Sequence, residues 1–412
     1  MEIWLPYGVS EVPVRIPDEN LVDILQPREP DQAPNINFDD IGSDELITTA
    51  KSSDRICIVL GESRSKEMMT NAVKFLVNRL ARNGVDPSSL TVLRSLRSPT
   101  IDAISSDVQV VNHSPHSSVT TMISQFDFTP SINSLVTGNT LTIVVGELRL
   151  NHFTGFSGLC DAIFPGLASE KSAQEQLIRS KPMDPHGLIE ERLEVAYSLR
   201  SIYGLGFVLN SGLAPIEITL DKFNETIAKL GRTIRSVSAT QASRSVDIVV
   251  MSAGGAPLDE SLLAAIESFP PGLSILKRNG ALIIAAECPL GHGDTEFYAW
   301  AREQKEARHL EARLRHRFNY YGWKTAYLLR ALSSHRIYFV STIPDHHLEH
   351  TFGLKPAKTM NAAVQSAQRA LGSDASISVI PNASQVIPTI TPITQTPPKE
   401  TAETPDRKAD DN

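Results

Sequence analysis

The sequence predicts an α/β protein with two Rossmann-like α/β domains, a site in the cleft between them and a disordered C-terminal tail. Short apolar runs of strand length alternate with segments of helical period, which is typical of parallel sheets covered by helices. The alternation occurs in two blocks, separated by a Ser/Thr/Ala/Arg-rich stretch at 236–245 that has little periodicity. With 412 residues, of which 41% are hydrophobic, the chain has enough apolar material for more than one core.

The first block begins with the apolar run Ile56–Leu60, which predicts a buried strand. Apolar residues at helical spacing over 66–83 predict a helix that ends at Gly84. Further strands are predicted at 90–93, 108–111, 141–145 and 205–209, and a second helix at 188–203.

The second block begins with a strand at 246–251 and a glycine turn at 252–257, followed by a helix near Asp259. Further strands are predicted at 281–286, 336–341 and 377–380, a charged helix at 295–318 and a last helix at 360–371. We therefore expect an N-terminal domain at 1–240 and a C-terminal domain at 241–388. The proline-rich polar segment 389–412 cannot bury enough apolar area to offset its ordering entropy, which predicts disorder there.

The composition argues against nucleic acid and membrane partners. Lys and Arg number 39 against 47 Asp and Glu, a net charge of −8, so no chain-wide positive field exists to hold a polyanion. We expect neither a secretion signal nor a spanning helix, because the N-terminus lacks a basic flank with an apolar run. Three widely spaced cysteines, Cys57, Cys160 and Cys288, fit neither a disulfide scaffold nor a metal cluster and favour a reducing cytoplasm.

Ser63 and Arg64 follow the first predicted strand directly and precede its helix. Unpaired backbone N–H groups and the helix dipole favour an anion at such a position, and Arg64 would add a bidentate clamp. The alternative is structural, with Ser65 capping the helix and Arg64 paired with a surface acid. The sequence leaves both interpretations open, and the first makes a small anionic metabolite the expected partner.

The segment 151–161 is the densest in reactive side chains. Its polar and glycine positions of interest are His152, Gly155, Ser157, Gly158, Cys160 and Asp161. The two glycines allow a tight turn or the close approach of a ligand. The Gly-Phe-Ser-Gly spacing misses the nucleophile elbow of serine hydrolases by one residue. A reactive thiol beside His152 is an alternative site, but a structural cysteine next to a capping aspartate is the favoured interpretation.

Histidines elsewhere do not predict a metal centre. A proline separates His113 from His116 and argues against a helix that would place both on one face. His346 and His347 follow a strand exit, where a polar loop is the commoner structure. We assign no metal ligand.

The glycine turn of the second block mirrors the first anion site in topology. Gly254 and Gly255 follow a predicted strand, but the turn lacks the Gly-x-Gly-x-x-Gly spacing of dinucleotide-binding proteins. Glu287 and Cys288 follow the next strand and are expected to border the same crevice, with Cys288 as an inert core thiol.

Several short segments occur in a characteristic order along the chain. They are Leu5-Pro6-Tyr7-Gly8, Asn112-His113, Gly155-Phe156-Ser157-Gly158, Ser252-Ala253-Gly254-Gly255, Glu287 with Gly291-His292-Gly293, Gly353-Leu354-Lys355-Pro356-Ala357 and Val379-Ile380-Pro381. Together, from about Ile3 to Pro388, they resemble the nickel-dependent lactate racemase family. The resemblance implies two α/β domains with the site between them and an organic nickel-pincer cofactor made from a nicotinate nucleotide.

The chemistry implied by this resemblance is hydride transfer at C2 of a 2-hydroxy acid. The nickel complex takes the hydride, while histidines exchange the hydroxyl proton, a task that suits imidazole near neutral pH. By this resemblance Arg64 keeps the arginine of an Asp-x-Thr-Arg motif, and His152 lies beside Asn151, where a catalytic histidine is expected. The positions assigned to cofactor binding are Ser63, Gly155, Ser157, Gly158, Gly254 and Gly255.

Several positions depart from the family's pattern. The lysine that tethers the cofactor corresponds to Asp161, and the nickel-binding histidine corresponds to Leu177. The family's glutamine and lysine near the metal correspond to Ala264 and Glu267, and another histidine corresponds to Pro99. Aspartate cannot form the covalent link and leucine cannot ligate nickel, so the cofactor of this chain stays undetermined.

Two functional hypotheses follow. The first is a racemase or epimerase of a 2-hydroxy acid or sugar acid, in which His152 and Arg64 are the catalytic residues. The second is a non-catalytic relative that binds an anionic metabolite or a protein partner, because a fold alone does not establish an activity.

Overall fold

The computed structural model describes residues 1–30, 38, 41–42, 44–102, 104, 106–114, 116–122, 128–178, 187–303 and 306–390. The strands are β1 (Glu2–Tyr7), β2 (Ser10–Arg15), β3 (Leu21–Ile24), β4 (Ile56–Leu60), β5 (Leu90–Arg94), β6 (Gln109–Asn112), β7 (Val119–Thr121), β8 (Ser131–Asn133), β9 (Leu141–Asn151), β10 (Gly155–Gly158), β11 (Ile202–Leu209), β12 (Pro215–Lys222), β13 (Ala239–Ala242), β14 (Val246–Ser252), β15 (Leu276–Ala285), β16 (Arg336–Val340), β17 (Lys355–Pro356), β18 (Ile377–Ile380) and β19 (Ile387–Ile390). The helices are α1 (Asp44–Lys51), α2 (Lys66–Arg82), α3 (Ser134–Thr137), α4 (Glu170–Leu177), α5 (Gly187–Tyr197), α6 (Phe223–Ser238), α7 (Leu262–Ala265), α8 (Phe269–Ile275), α9 (Thr295–Glu303), α10 (Ala307–Leu314), α11 (Tyr320–Ser334), α12 (Asp345–His347) and α13 (Met360–Leu371).

The first lobe is built on a seven-stranded sheet in the order β12-β11-β9-β4-β5-β6, with β10 added to β9. Neighbours from β11 to β6 run parallel, and β12 is antiparallel to β11. The chain builds outward from β4 to β5 and β6 and then returns to β9 on the other side of β4. The switch point of this doubly wound sheet therefore lies between the carboxyl ends of β4 and β9, which is where such folds bind ligands.

The second lobe is built on six parallel strands in the order β17-β16-β15-β14-β18-β3. The chain runs from β14 outward to β17 and later adds β18 on the other side of β14. Its switch point lies between the carboxyl ends of β14 and β18, which carry the turns 252–255 and 381–384. The expectation of two α/β units with parallel sheets is thus confirmed.

The start of the chain lies in the second lobe. β1 and β2 form a hairpin, and β3 pairs with β18 at the edge of the second sheet. The backbone N–H of Gly8 donates to the buried carboxylate of Asp259 (2.7 Å), which fixes the hairpin turn against this lobe. The domain limits 1–240 and 241–388 stay a prediction. The pairing of β3 with β18 places the first 25 residues with the second sheet.

The local sequence explains the first strand and helix of the site. All five residues of β4 are buried, as expected for a strand covered on both faces. Ser65 caps α2, since its Oγ accepts a hydrogen bond from Met68 N (3.1 Å), and the buried face of the helix includes Met69, Val73 and Leu76.

Three predicted segments differ in the structure. The helix predicted at 188–203 ends at Tyr197, and the chain from Ile202 is the central strand β11, because this β-forming segment pairs with both β9 and β12. The charged helix predicted at 295–318 is two helices, α9 and α10, and residues 304–305 lie outside the described ranges. Of the tail predicted at 389–412, residues 389–390 belong to β19, and 391–412 lie outside the described residues. No helix in the described ranges is long and apolar enough to cross a lipid bilayer.

Candidate functional site

The two switch points face each other across the cleft between the lobes. Nε2 of His152, which follows β9, lies 2.9 Å from the carbonyl oxygen of Ala383, which follows β18. Asn151 at the end of β9 donates through Nδ2 to Glu267 Oε2 of the second lobe (2.9 Å). These contacts place the carboxyl ends of both sheets in one crevice.

Arg64 and Glu147 form a buried ion pair at the switch point of the first sheet. The Arg64 side chain is 9% exposed and that of Glu147 is completely buried. Glu147 accepts from the backbone N of Arg64 (2.7 Å) and from its Nε (2.7 Å), while Nη2 donates to the carbonyl oxygen of Leu209 (2.9 Å). An internal carboxylate therefore holds the arginine at the start of α2, next to the predicted anion site.

Arg149 lies two residues further along β9 and points to the same face as Glu147. Its Nη2 donates to Glu62, which follows β4, and its Nε is buried without a hydrogen-bond partner in the described residues. Burial alone would lower the pKa of Arg149, but the charges of Glu62 and Glu147 outweigh it, so the pKa is raised. Glu147 and Arg149 thus present charged groups on one face of β9.

Arg64 and Arg149 line one cavity between the lobes, with a volume of about 40 Å³. Other polar residues of its wall are Glu29, Glu147, Ser238, Ser384 and Gln385. In each of the two guanidinium groups, Nη1 makes no hydrogen bond within the described part of the chain. Each of the two guanidinium groups in the cavity wall therefore has an Nη1 donor that no described residue engages.

Asp161 and Arg192 form a second buried ion pair near this crevice. Arg192 Nη1 donates to Asp161 Oδ1 (3.0 Å), and the two side chains are 12% and 14% exposed. Gly158 N also donates to this carboxylate (3.0 Å). Burial raises the pKa of Asp161 in spite of Arg192, and the pKa of Cys160 rises well above its usual value for the same reason. This thiol is thus held in its unreactive form.

Glu267 of the second lobe accepts from three donors, one of which, Asn151, belongs to the first lobe. Lys324 Nζ (2.5 Å), Tyr320 OH (3.0 Å) and Asn151 Nδ2 (2.9 Å) all donate to its carboxylate. Burial would raise the pKa of Glu267, but Lys324 and Tyr320 outweigh it and the pKa is lowered. Burial lowers the pKa of Lys324, whose side chain is 2% exposed.

His152 is a neutral imidazole with a defined tautomer. A carbonyl oxygen only accepts, so Nε2 carries the proton that is donated to Ala383, and Nδ1 is the basic nitrogen. Burial lowers the pKa of His152, although the hydrogen bond to Ala383 opposes this. The ring thus offers one proton acceptor at the cleft.

Gly254 lies against the part of the cavity wall that the second lobe contributes. It has a φ of +114°, and a Cβ atom there would lie 2.7 Å from Ser384 Oγ, a cavity residue. Gly255 instead packs against the carbonyl oxygen of Gly8 in the hairpin turn.

The other assigned positions serve the local backbone in this structure. Ser63 Oγ hydrogen-bonds with the backbone of Ser65 (3.0 Å), and Ser157 lies opposite Arg149 in the β9–β10 ladder. A Cβ at Gly158 would collide with the carbonyl oxygen of Glu147, whereas Gly155 has open space around it. None of these four is among the described residues of the cavity wall, and their roles in cofactor binding stay predictions.

The remaining histidine positions have structural partners. His113 is buried between Asn133 Nδ2 (3.0 Å) and the carbonyl oxygen of Ala168 (3.1 Å), and burial lowers its pKa. His347 lies against the rings of His346 and Tyr298. Within the described ranges, no group of three or more His, Cys, Asp or Glu side chains is arranged to hold a metal ion.

The described residues do not fit a covalently tethered nickel cofactor. The position that the resemblance assigns to the tether is the carboxylate of Asp161, which is engaged by Arg192, and the position that it assigns to the metal ligand is the apolar Leu177 at the end of α4. The lysine position is Glu267, which is engaged by Lys324. Neither an amine for the tether nor a nitrogen donor for nickel is supplied at these places.

The sequence did not predict the ion pairs around the cleft. Three basic side chains pair with acids that are distant in the sequence, and no local sequence pattern predicts such pairs. The separations are 87 residues for Arg149, 31 for Arg192 and 57 for Lys324. One signal was present, since Glu147, Arg149 and Asn151 alternate with leucines directly after an apolar run. Such alternation indicates a strand that leaves the core with one polar face.

Comparison with known proteins agrees with this architecture. The family model described as "Lactate racemase N-terminal domain" matches residues 7–180, and "Lactate racemase C-terminal domain" matches residues 241–388. The lactate racemase of Thermoanaerobacterium thermosaccharolyticum is 26% identical over 430 residues, covering 93% of this chain and 98% of that protein. The lactate racemase of Lactiplantibacillus plantarum is 23% identical over 424 residues, covering 93% and 99%.

Two solved structures are similar in fold. The lactate racemase apoprotein from T. thermosaccharolyticum has a TM-score of 0.79 at 22% identity and covers 94% of this chain and 100% of its own. A Thermotoga maritima protein has a TM-score of 0.57 at 12% identity, covering 85% and 98%. Since both family models match in order along the chain, this chain belongs to the lactate racemase family.

Proposed function

We propose that this protein binds a small anionic metabolite, a hydroxy acid or related carboxylate, in the cleft between its lobes. The observation that carries the proposal is the pair of guanidinium groups, Arg64 and Arg149, in the wall of one cavity at the switch point. Nη1 of each has no partner in the described residues, and a carboxylate is the natural acceptor for such donors.

The internal acids support this function by orienting the arginines. Glu147 fixes Arg64 through both its backbone and its side chain, and Glu62 fixes Arg149. A ligand then meets donors whose side-chain entropy is already lost on folding, which favours binding. The same acids offset much of the positive charge, so we expect moderate rather than very tight affinity.

A racemase or epimerase that moves a hydride at C2 is the second candidate. It is favoured by His152, whose basic Nδ1 is suited to taking the hydroxyl proton, and by the activity named for the two relatives. The residues at the tether and metal positions weigh against the family's own cofactor. The three buried free cysteines are in keeping with the cytoplasmic location that we propose.

The binding test is calorimetric titration of the protein with lactate and acetate. We expect saturable binding that weakens by about tenfold or more in Arg64→Lys and Arg149→Lys, which keep the charge and lose the planar fork. Arg15→Lys is the matched control, because Arg15 is 79% exposed and lies in the hairpin. Unchanged affinity in both cleft variants would overturn the proposal.

The two candidate functions are separated by nickel analysis and chiral chromatography. Protein co-produced with the nickel-pincer pathway is analysed for bound nickel and for interconversion of D- and L-lactate. We expect neither stoichiometric nickel nor inversion at C2. Stoichiometric nickel together with racemisation lost in His152→Gln would establish the isomerase instead.

A further inference from the structure

The cavity that holds Arg64 and Arg149 has an apolar side. We infer that the ligand is an aliphatic carboxylate, whose head group meets the two arginines and whose short hydrocarbon tail fills the cavity. This inference rests on the proposed carboxylate binding and specifies the chemical class of the ligand.

The apolar wall comes from both lobes. Leu150 of β9, Val208 of β11, Ile216 of β12 and the α6 residues Ile234 and Val237 contribute from the first lobe, and Leu258 closes the cavity from the second. These side chains offer no hydrogen bond to a polar tail. Burying hydrocarbon against them removes apolar area from water on both partners, which is favourable.

Among the polar residues of the same wall, Glu29 and Glu147 are engaged within the protein, whereas Ser384 Oγ is buried without a hydrogen-bond partner in the described residues. Glu29 accepts hydrogen bonds from the backbone N and the hydroxyl of Ser211, both at 2.7 Å, and Glu147 is engaged by Arg64. Nη1 of both arginines has no partner in the described residues. The hydrogen-bonding end and the apolar end of the cavity therefore match the two ends of an aliphatic acid.

The size of the cavity limits the tail. Its volume of about 40 Å³ holds roughly three water-sized groups, since each needs about 10–15 Å³. Because the carboxylate lies in the same cavity as the tail, this space favours a short acid.

The test measures dissociation constants for acetate, propanoate, butanoate and pentanoate by calorimetry with the full chain. Each added methylene should tighten binding by about fourfold, because burying one contributes about 0.8 kcal/mol.

Val237→Phe adds a ring at a half-buried wall position and should weaken pentanoate by at least tenfold while leaving acetate within twofold. Ile216→Phe provides a second blocked variant from another element. Ile202→Phe is the control, because Ile202 is a half-buried aliphatic residue at the opposite end of β11.

The outcomes separate this inference from the proposed function. If all four acids bind equally, or if the blocked variants weaken acetate and pentanoate alike, the tail assignment is wrong and carboxylate binding stands. If pentanamide binds as pentanoate does and acetate does not bind, the apolar cavity is correct and the arginine site is wrong. If none of these compounds binds to the correctly folded protein, both are wrong.

Discussion

The two sheets present very different edges to the cleft that they share. The edge of the first sheet carries charged side chains, with Arg64, Glu147 and Arg149 around its switch point. The edge of the second sheet carries backbone and small residues, namely Gly254, Ala383 and Ser384. The first edge can distinguish the charge and shape of a ligand, whereas the second allows the lobes to approach closely. Around the two switch points, charged side chains thus come from the first sheet and close approach is allowed by the second, while the Glu267–Lys324 ion pair of the second lobe lies elsewhere in the crevice.

Removing a charge from the first edge should have the largest effect. In Glu147→Ala the Arg64 guanidinium loses its internal counter-ion in a nearly dry site, so the free energy of unfolding should fall by about 4 kcal/mol. Urea unfolding followed by circular dichroism measures this. Glu2→Ala breaks the exposed pair with Arg15 and should cost below about 1 kcal/mol. Similar losses of unfolding free energy in the two variants would show that the buried Arg64–Glu147 pair contributes no more to stability than an exposed pair.

A side chain added to the second edge should have an intermediate effect. Gly254→Ala places a Cβ 2.7 Å from Ser384 Oγ at a φ of +114°, and should lower the free energy of unfolding by about 2 kcal/mol. Gly84→Ala is the control for backbone strain alone, because Gly84 has a φ of +89° and no atom near the added Cβ. Differential calorimetry should rank Gly254→Ala as the more destabilised variant. An equal loss would mean that close approach at this edge is unimportant.

The contact between the two edges should give the smallest effect, seen as pH dependence. Burial holds the pKa of His152 below its usual 6.5, so the unfolded chain binds more protons and stability falls as pH drops below about 6.5. His152→Gln keeps a donor for Ala383 and has no titrating ring. Between pH 7.5 and 5.5 it should lose less stability than the unaltered protein, by at most about 1.4 kcal/mol.

His113 and His335 also have pKa values lowered by burial, so the variant should keep some acid sensitivity. A pH profile of the unfolding free energy that is identical for both proteins would mean that His152 is protonated at no cost. The contact between the edges would then be looser than the structure indicates.

The sequence predicts the sheet-forming parts of this fold better than its charged parts. Ile56–Leu60 was predictable as an uninterrupted apolar run, because the strand is buried on both faces, and the helix after it was predictable because burial on one face imposes a local period. The strand predicted at 141–145 in fact continues to Asn151, and its last residues carry the ion pairs of the cleft. Their partners lie on other strands and helices, so the side chains that hold the site together could only be recognised once the chain was folded.

The predicted position of Arg64 beside a helix start is correct, but its counter-ion was not foreseen. The structural alternative assumed a surface acid, whereas the acid is the fully buried Glu147, 83 residues away. Ser65 does cap the helix, as that alternative expected. Capping depends on neighbours three residues apart and is therefore visible locally, while a buried ion pair depends on how strands are ordered in the sheet.

The use of β3 as an edge strand of the second sheet has a consequence for recombination between relatives. A single crossover near residue 240 would join the first 25 residues of one parent to the second sheet of the other parent. β3 and β18 would then come from different parents, and their packing would be mismatched. Grafting the second lobe intact requires the exchange of two separate stretches, 1–25 and 241–390. This lobe is thus encoded by two separate stretches, and substitutions in the two stretches are expected to accumulate in concert.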